Sequence, residues 1–353
     1  MRGIIKKYRH RLPLPDGCPE LSLGEGGTPL LLLTNLPRYL NLKLQLWVKF
    51  EGLNPTGSFK DRGMVVAVAD AVAKNAKRVI CASTGNTSAA AAAYAGRAGL
   101  PCIVLIPAGK VARGKIAQAI VHGAHILQVN GNFDDAMSAV REFTGDGEAV
   151  VVNSINPMRL QGQKTTAFEV VEELGRMPDF HALPVGNAGN ISAHWLGYRE
   201  DAEKTSGKPP AMLGYQAEGA APFINGIPIK KPDTVATAIR IGNPQSYQLA
   251  KIALTESGGH IAALSDDDIL MTQKMLAELE GIFCEPASAA SVAGVIKDAQ
   301  SGEIPDDALV VCTLTGHGLK DPDIIGMPDV TTVSADITAL RLAIEKAIPA
   351  HGQ

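Results

Sequence analysis

The sequence lacks several features, and each absence removes a class of function. It has no block of Lys and Arg: 33 basic side chains against 36 acidic ones leave a formal charge of −3. Neither nucleic acid nor an anionic membrane is therefore an indicated partner. No apolar stretch approaches the roughly 20 residues of a bilayer span, and the run Ala89 to Ala93 reads as helix. The start, Met1-Arg2-Gly3-Ile4-Ile5-Lys6-Lys7, is charged within a few residues and lacks the apolar core of a secretory signal. A cytoplasmic protein is expected. Cysteine is sparse: Cys18, Cys81, Cys102, Cys284 and Cys312 are odd in number, scattered and free of any C-x-x-C pair. Three of them fall in apolar runs, so reduced core residues are expected rather than disulfides or metal ligands. His122 and His125 flank Gly123 and do not share an uninterrupted helix, so no metal site is expected there. His181, His194 and His260 occur singly and read as structural. There is no short-period repeat, no low-complexity linker, no G-x-G-x-x-G and no Walker loop, which weakens the nucleotide readings.

What is present is a rhythm. The chain has 353 residues, 46% of them hydrophobic and 20% charged, which fits a compact protein of two domains or one large one. Residues 1–45, punctuated by five prolines, read as an irregular lead-in with an apolar run at 30–33. Short apolar runs at 46–50, 79–82, 102–106, 126–129 and 150–153 then alternate with helical patterns at 64–73, 87–98, 115–122, 134–143 and 160–174. The second half continues less strictly, with strands at 182–185, 212–216, 260–264 and 309–314. Its helices fall near 191–204, 245–256, 267–279 and 287–300. Strands of four to six apolar residues between longer helices predict an α/β fold of parallel sheets buried on both faces. Two open parallel-sheet α/β domains with a cleft between them are the expected architecture.

The stretch Asn54-Pro55-Thr56-Gly57-Ser58-Phe59-Lys60-Asp61-Arg62-Gly63 begins as a turn and ends as a helix, with Ser58 as the expected N-cap. Lys60 then sits in the first helical turn, where the macrodipole disfavours a cation. It is either a solvated lysine at a helix end or an amine pushed toward neutrality for Schiff-base chemistry. Three glycine-rich stretches follow strands, where open α/β sheets place ligands. Ser83-Thr84-Gly85-Asn86-Thr87-Ser88 is an anion site at a helix N-terminus or an elaborate cap. Gly186-Asn187-Ala188-Gly189-Asn190 is a phosphate nest or a tight turn. Thr315-Gly316-His317-Gly318 aims Thr315 at the cleft or only turns the chain. An imine-forming lysine combined with a phosphate nest is what pyridoxal 5′-phosphate (PLP) requires.

The lysine stretch resembles the PLP-lysine motif of the fold-type II enzymes, the tryptophan synthase β-like group. Further motifs make the chain similar to the bacterial threonine synthase family: Gly26-Gly27-Thr28-Pro29-Leu30, the 83–88 stretch, Val185 to Asn190, Glu285-Pro286-Ala287-Ser288-Ala289-Ala290, and Thr315-Gly316-His317-Gly318-Leu319-Lys320-Asp321. The resemblance spans residues 20–325 and departs at His317, where the family pattern has Asn. It implies that Lys60 holds PLP as an imine and serves as general base and acid. It also implies that Gly186, Asn187, Ala188, Gly189 and Asn190 grip the cofactor phosphate, that Asn86 meets the pyridine 3′-oxygen and that Thr315 meets the ring nitrogen. The implied reaction takes O-phospho-L-homoserine and water to L-threonine and phosphate by β,γ-replacement. That reaction needs a second anion pocket, for which the resemblance implies Thr87, Ser154, Arg159 and Asn187, with Ser83, Thr84 and Asn153 nearby. Taken alone, Arg159 is also readable as a helix-surface arginine.

Residues 1–56 with 155–353 are expected to form a larger PLP-binding domain, and 57–154 a smaller mobile one. A homodimer is implied by the resemblance. The rival readings are a PLP-dependent serine/threonine dehydratase, which needs no substrate-phosphate pocket, and a non-catalytic PLP- or nucleotide-binding regulator.

Overall fold

The computed structural model describes residues 3–107, 113–130, 140, 149–326 and 330–347. They fall in two units, Met1–Asp321 and Pro322–Gln353. The first unit begins with α1 (Ile4–Tyr8), β1 (Leu30–Leu32), α2 (Asn35–Tyr39) and β2 (Gln45–Phe50). Then come α3 (Lys60–Ala73), β3 (Arg78–Ala82), α4 (Asn86–Ala98), β4 (Cys102–Pro107), α5 (Arg113–Val121), β5 (His125–Val129) and β6 (Ala149–Val151). The chain continues through α6 (Pro157–Gln163), α7 (Thr165–Leu174), β7 (Phe180–Pro184), α8 (Gly189–Thr205), β8 (Ala211–Ala217) and α9 (Pro222–Asn225). Finally α10 (Tyr247–Ser257), β9 (His260–Leu264), α11 (Asp266–Glu280), α12 (Pro286–Ser301) and β10 (Leu309–Leu314) complete it. In the second unit α13 (Ile337–Ala347) carries apolar Ile337, Leu340 and Ile344 at helical spacing.

The strands assemble into two sheets. Among the described residues one has six strands in the order β1-β2-β10-β7-β8-β9, and the other has four in the order β5-β4-β3-β6. Every neighbouring pair is parallel except β1 with β2. This is the expected architecture of two parallel α/β sheets. β10 shows why it forms: Leu-Val-Val-Cys-Thr-Leu is buried at every position, as a strand covered on both faces demands. The small sheet packs its helices α3 and α4 into one apolar cluster, which the N-terminal residues Ile4, Ile5, Tyr8, Leu12 and Leu14 join. The two faces of the large sheet carry separate clusters. All five cysteines are free and buried.

Some local expectations change. The lead-in is not wholly irregular, since α1, α2 and the edge strand β1 lie within it. Ser58 does not cap α3. Phe59 holds the N-cap position; Ser58, one residue earlier, forms a β-bridge with Gly316, and its Oγ accepts only a long 3.4 Å bond from the Lys60 amide. The helix expected at 160–174 is two helices separated by Lys164. The break follows Gly162, whose closeness to α3 is severe: a Cβ there would lie 1.9 Å from the Arg62 carbonyl oxygen. The helix expected at 134–143 lies outside the described residues, Val140 excepted.

Candidate active site

The carboxyl ends of the parallel strands carry the loops that matter, as open α/β sheets require. β3 runs into Ser83, β6 into Asn153 and Ser154, β7 into Gly186, and β10 into Thr315. Two polar contacts join the loops of one sheet to those of the other. Asn86 Nδ2 donates to Glu285 Oε2 at 3.2 Å, and Asn187 Nδ2 donates to Ser154 Oγ at 2.9 Å.

Lys60 is the first residue of α3 and is half-buried beneath these loops. Its loop is pinned by the backbone: the Phe59 amide donates to the Thr315 carbonyl at 2.9 Å, and the His317 amide donates to the Gly57 carbonyl at 3.0 Å. The amine stands 4.2 Å from the Phe59 ring centroid. Desolvation, reinforced by the nearby Arg159 charge and opposed by Glu285, lowers its pKa to about 7. At neutral pH a large share of this amine is unprotonated, the state a nucleophilic lysine needs. Asp61 folds back, accepting a 2.7 Å bond from the Thr56 amide and a short one from the Thr56 hydroxyl. Burial raises its pKa to about 7.

At the end of β7 the chain makes a nest. Ala188 is left-handed, with φ 63°, a strained conformation for a residue with a Cβ that turns successive amides toward one point. α8 begins directly after it at Gly189, so the first amides of a 17-residue helix lack intrahelical acceptors. Asn190 is buried, and both polar atoms of its amide are without a partner. An unsatisfied buried amide is rare enough to point to a missing ligand. Gly186 leaves no room for a side chain: a Cβ would lie 3.0 Å from the Ile239 Cα.

On the opposite wall of the cleft, Asn86 opens α4 behind the half-buried Ser83, Thr84 and Thr87. Ser83 Oγ accepts from the Gly85 amide at 3.2 Å. Thr315 shares a 2.9 Å hydroxyl bond with Ser288 and donates to Glu285 Oε1 at 3.4 Å. Burial raises the Glu285 pKa, and a Cβ on Gly316 would strike its carboxylate at 2.5 Å. Asn153 is spent elsewhere, because its side chain exchanges two 2.9 Å bonds with the Ala82 backbone and so clamps β3 beside β6.

Arg159, on α6, is fully buried and has no carboxylate in salt-bridge range among the described residues; it donates to the Val152 carbonyl at 2.6 Å. Its Nε has no partner, and burial lowers its pKa to about 10. Sequence reasoning missed the second buried arginine, Arg62. It donates to both oxygens of Glu51 at 2.6 and 2.8 Å and to both of Glu169 at 2.9 and 2.6 Å. The Lys49 amine joins Glu169 at 3.1 Å. The only signal for this network was an arginine two residues beyond Lys60, and helix spacing alone does not tell a core arginine from a surface one. Among the described residues no group of three or more His, Cys, Asp or Glu is placed to hold a metal.

A lysine of near-neutral pKa between two parallel α/β sheets, with a strained backbone nest on one wall and a hydroxyl and an amide on the others, defines a fold-type II PLP enzyme. The family model described as "Pyridoxal-phosphate dependent enzyme" matches residues 21–316. Threonine synthase of Mycobacterium tuberculosis is 53% identical over 342 residues, covering 96% of this chain and 94% of that protein. Threonine synthase of Bacillus sp. is 50% identical over 350 residues, covering 98% and 99%. Among solved structures, maize serine racemase superposes with a TM-score of 0.72 at 20% identity, covering 91% and 92% of the two chains. Cysteine synthase of Entamoeba histolytica gives 0.74 at 21%, covering 87% and 90%; these two likenesses concern the fold alone. The chain belongs to the pyridoxal-phosphate dependent enzymes and, within them, to the threonine synthases.

Proposed function

We propose that this protein is a threonine synthase, converting O-phospho-L-homoserine and water to L-threonine and phosphate. The observation that carries this reading is Arg159, a buried guanidinium with no carboxylate in salt-bridge range among the described residues, beside a lysine of near-neutral pKa. Burying a cation unpaired is costly, and a phosphate ester supplies the missing anion in bidentate geometry. Threonine synthase relatives at 50–53% identity support the same substrate.

PLP fits the residues present. Gly186, Asn187, Ala188, Gly189 and Asn190 are proposed to hold its phosphate, Lys60 its aldehyde carbon, Asn86 its 3′-oxygen and Thr315 its ring nitrogen. Bound there, it supplies an electron sink for carbanionic character at the substrate Cα. A hydroxyl at position 315 cannot hold a full positive charge on the ring as a carboxylate would, so the sink is tempered. The Lys60 amine, neutral above pH 7, takes the Cα proton and would release it within the cofactor-loaded site before taking one from Cβ; phosphate leaves Cγ, Lys60 returns a proton to Cγ, water adds its hydroxyl at Cβ, and Cα regains its proton. Arg159, Thr87, Ser154 and Asn187 are proposed to bind the substrate phosphate, with Ser83 and Thr84 at the rim. Asn153 serves that pocket from behind, by holding β3 against β6.

Residues 57–154 are proposed as a smaller mobile domain and the remainder as the larger one, with a homodimer as the working assembly. Comparing free and phosphonate-analogue-bound forms by small-angle scattering tests the motion, and light scattering tests the dimer. Among the described residues no helix is long and apolar enough to cross a membrane. The decisive assay is phosphate release from O-phospho-L-homoserine with threonine identified as product. Serine deamination without phosphate release would replace this reading with the dehydratase. Borohydride reduction followed by peptide mapping is expected to place the cofactor on Lys60, and Lys60→Ala to abolish the adduct.

A further inference from the structure

The loop after β10 does more than present Thr315. Lys320, five residues on, reaches back across the cleft with its ammonium. It donates to the Thr56 carbonyl at 3.1 Å and makes a short bond to the Gln118 side-chain oxygen. Thr56 belongs to the loop that delivers Lys60, while Gln118 lies on α5, which packs against α4 beside the small sheet. The Lys320 stem lies over Gly57, where a Cβ would approach its Cδ to 3.1 Å. One side chain from the large sheet thus touches both the lysine loop and a helix of the small sheet.

A lysine at liberty extends its amine into water. Lys320 instead is half-buried and bonds two neutral oxygens, although the carboxylates of Glu285 and Asp61 both act on it electrostatically. Its geometry matches a bridge between two elements better than an ion pair with either acid. The loop it grips is the one whose backbone sets Lys60, through the Phe59–Thr315 and His317–Gly57 hydrogen bonds. A shift of about 1 Å in a catalytic group is enough to slow a reaction by orders of magnitude.

We propose that Lys320 is a positioning residue that couples the lysine loop to helix α5, so that Lys60 is fully aligned only when the small sheet is seated against the large one. This rests on the reading of the inter-sheet cleft as the reaction site. The test uses the PLP-loaded enzyme with Lys320→Met, Gln118→Leu and the double variant, assayed with O-phospho-L-homoserine and by amide hydrogen exchange. Each single variant is expected to lower kcat/KM about fivefold or more, and the double variant to match the worse single one, as residues sharing one contact do. Exchange is expected to quicken in 54–60 in Gln118→Leu, although that variant alters nothing in the loop itself, while the cofactor absorbance band is kept. Additive kinetic losses, or unchanged exchange in 54–60 in Gln118→Leu, would overturn the coupling. If the unaltered enzyme releases no phosphate, the substrate assignment fails while the exchange comparison still decides the coupling.

Discussion

Two arginines, both fully buried and both packed around the start of α3, do opposite things. Arg62 is enclosed by two carboxylates that meet its guanidinium bidentately, and they hold its pKa above the ordinary value. Arg159 bonds one carbonyl, leaves Nε without a partner and has its pKa lowered by burial. The same side chain at the same depth is part of the scaffold in one place and, on the proposed reading, a receptor for an anion in the other. The difference lies in whether the protein supplies the counter-charge. A buried pair that is complete resists loss of either member, whereas an uncompensated buried charge is costly unless a ligand neutralises it, as proposed for Arg159.

The comparison is broken most severely by exchanging the outcomes of the two truncations. Arg159→Met is expected to lower kcat/KM for phosphate release by about 10²-fold, the scale for truncating one partner of a buried charge pair, without a fall in the melting temperature. Arg62→Met is expected to destabilise the protein by about 3–5 kcal/mol by stranding Glu51 and Glu169, as read by urea unfolding. If Arg62→Met kept its stability and Arg159→Met lost it, the contrast would be wrong.

The third test sharpens it through pH. With Lys60 lowered to about 7, the rate of PLP capture by cofactor-free protein is expected to rise with pH, with a midpoint near 7. In Arg159→Met that midpoint moves upward, because one of the charges depressing it is gone. The stability sign follows from proton counts. Between about pH 7 and the ordinary lysine value the unfolded chain binds the proton that the fold has shed, so stability rises with pH across that window. Lys60 therefore disfavours the cofactor-free fold below pH 7, and this penalty fades as pH increases. The smallest effect belongs to Asn153→Ala, which removes two clamping bonds and is expected to cost about 1–3 kcal/mol, with KM changing less than in Ser154→Ala.

Much of the fold was legible because parallel strands buried on both faces leave continuous apolar runs. β3, β4, β7 and β10 are all visible that way, and their carboxyl ends locate the loops at Ser83, Gly186 and Thr315. The lysine stretch could be read because a cation at a helix start opposes the macrodipole, which makes it conspicuous. Asn153 was read as a substrate contact, and nothing in its local sequence says that both ends of its amide are taken by Ala82. Glu285 enters the sequence reading only as part of a family motif, yet its carboxylate reaches Asn86 and Thr315 at once.

By itself the chain determined the alternation of strands and helices, the turns that expose backbone amides, and the position of the reactive amine on a helix start. These depend on neighbours within a few residues, where φ, hydrophobic period and dipole direction suffice. Only the tertiary structure decided which arginine is neutralised, which asparagine is left unsatisfied and which lysine spans the cleft. Arg62 meets Glu169 across 107 positions and Lys320 meets Gln118 across 202, contacts that exist only once the two sheets are assembled, and Asn190 lies unsatisfied only because that assembly buries it.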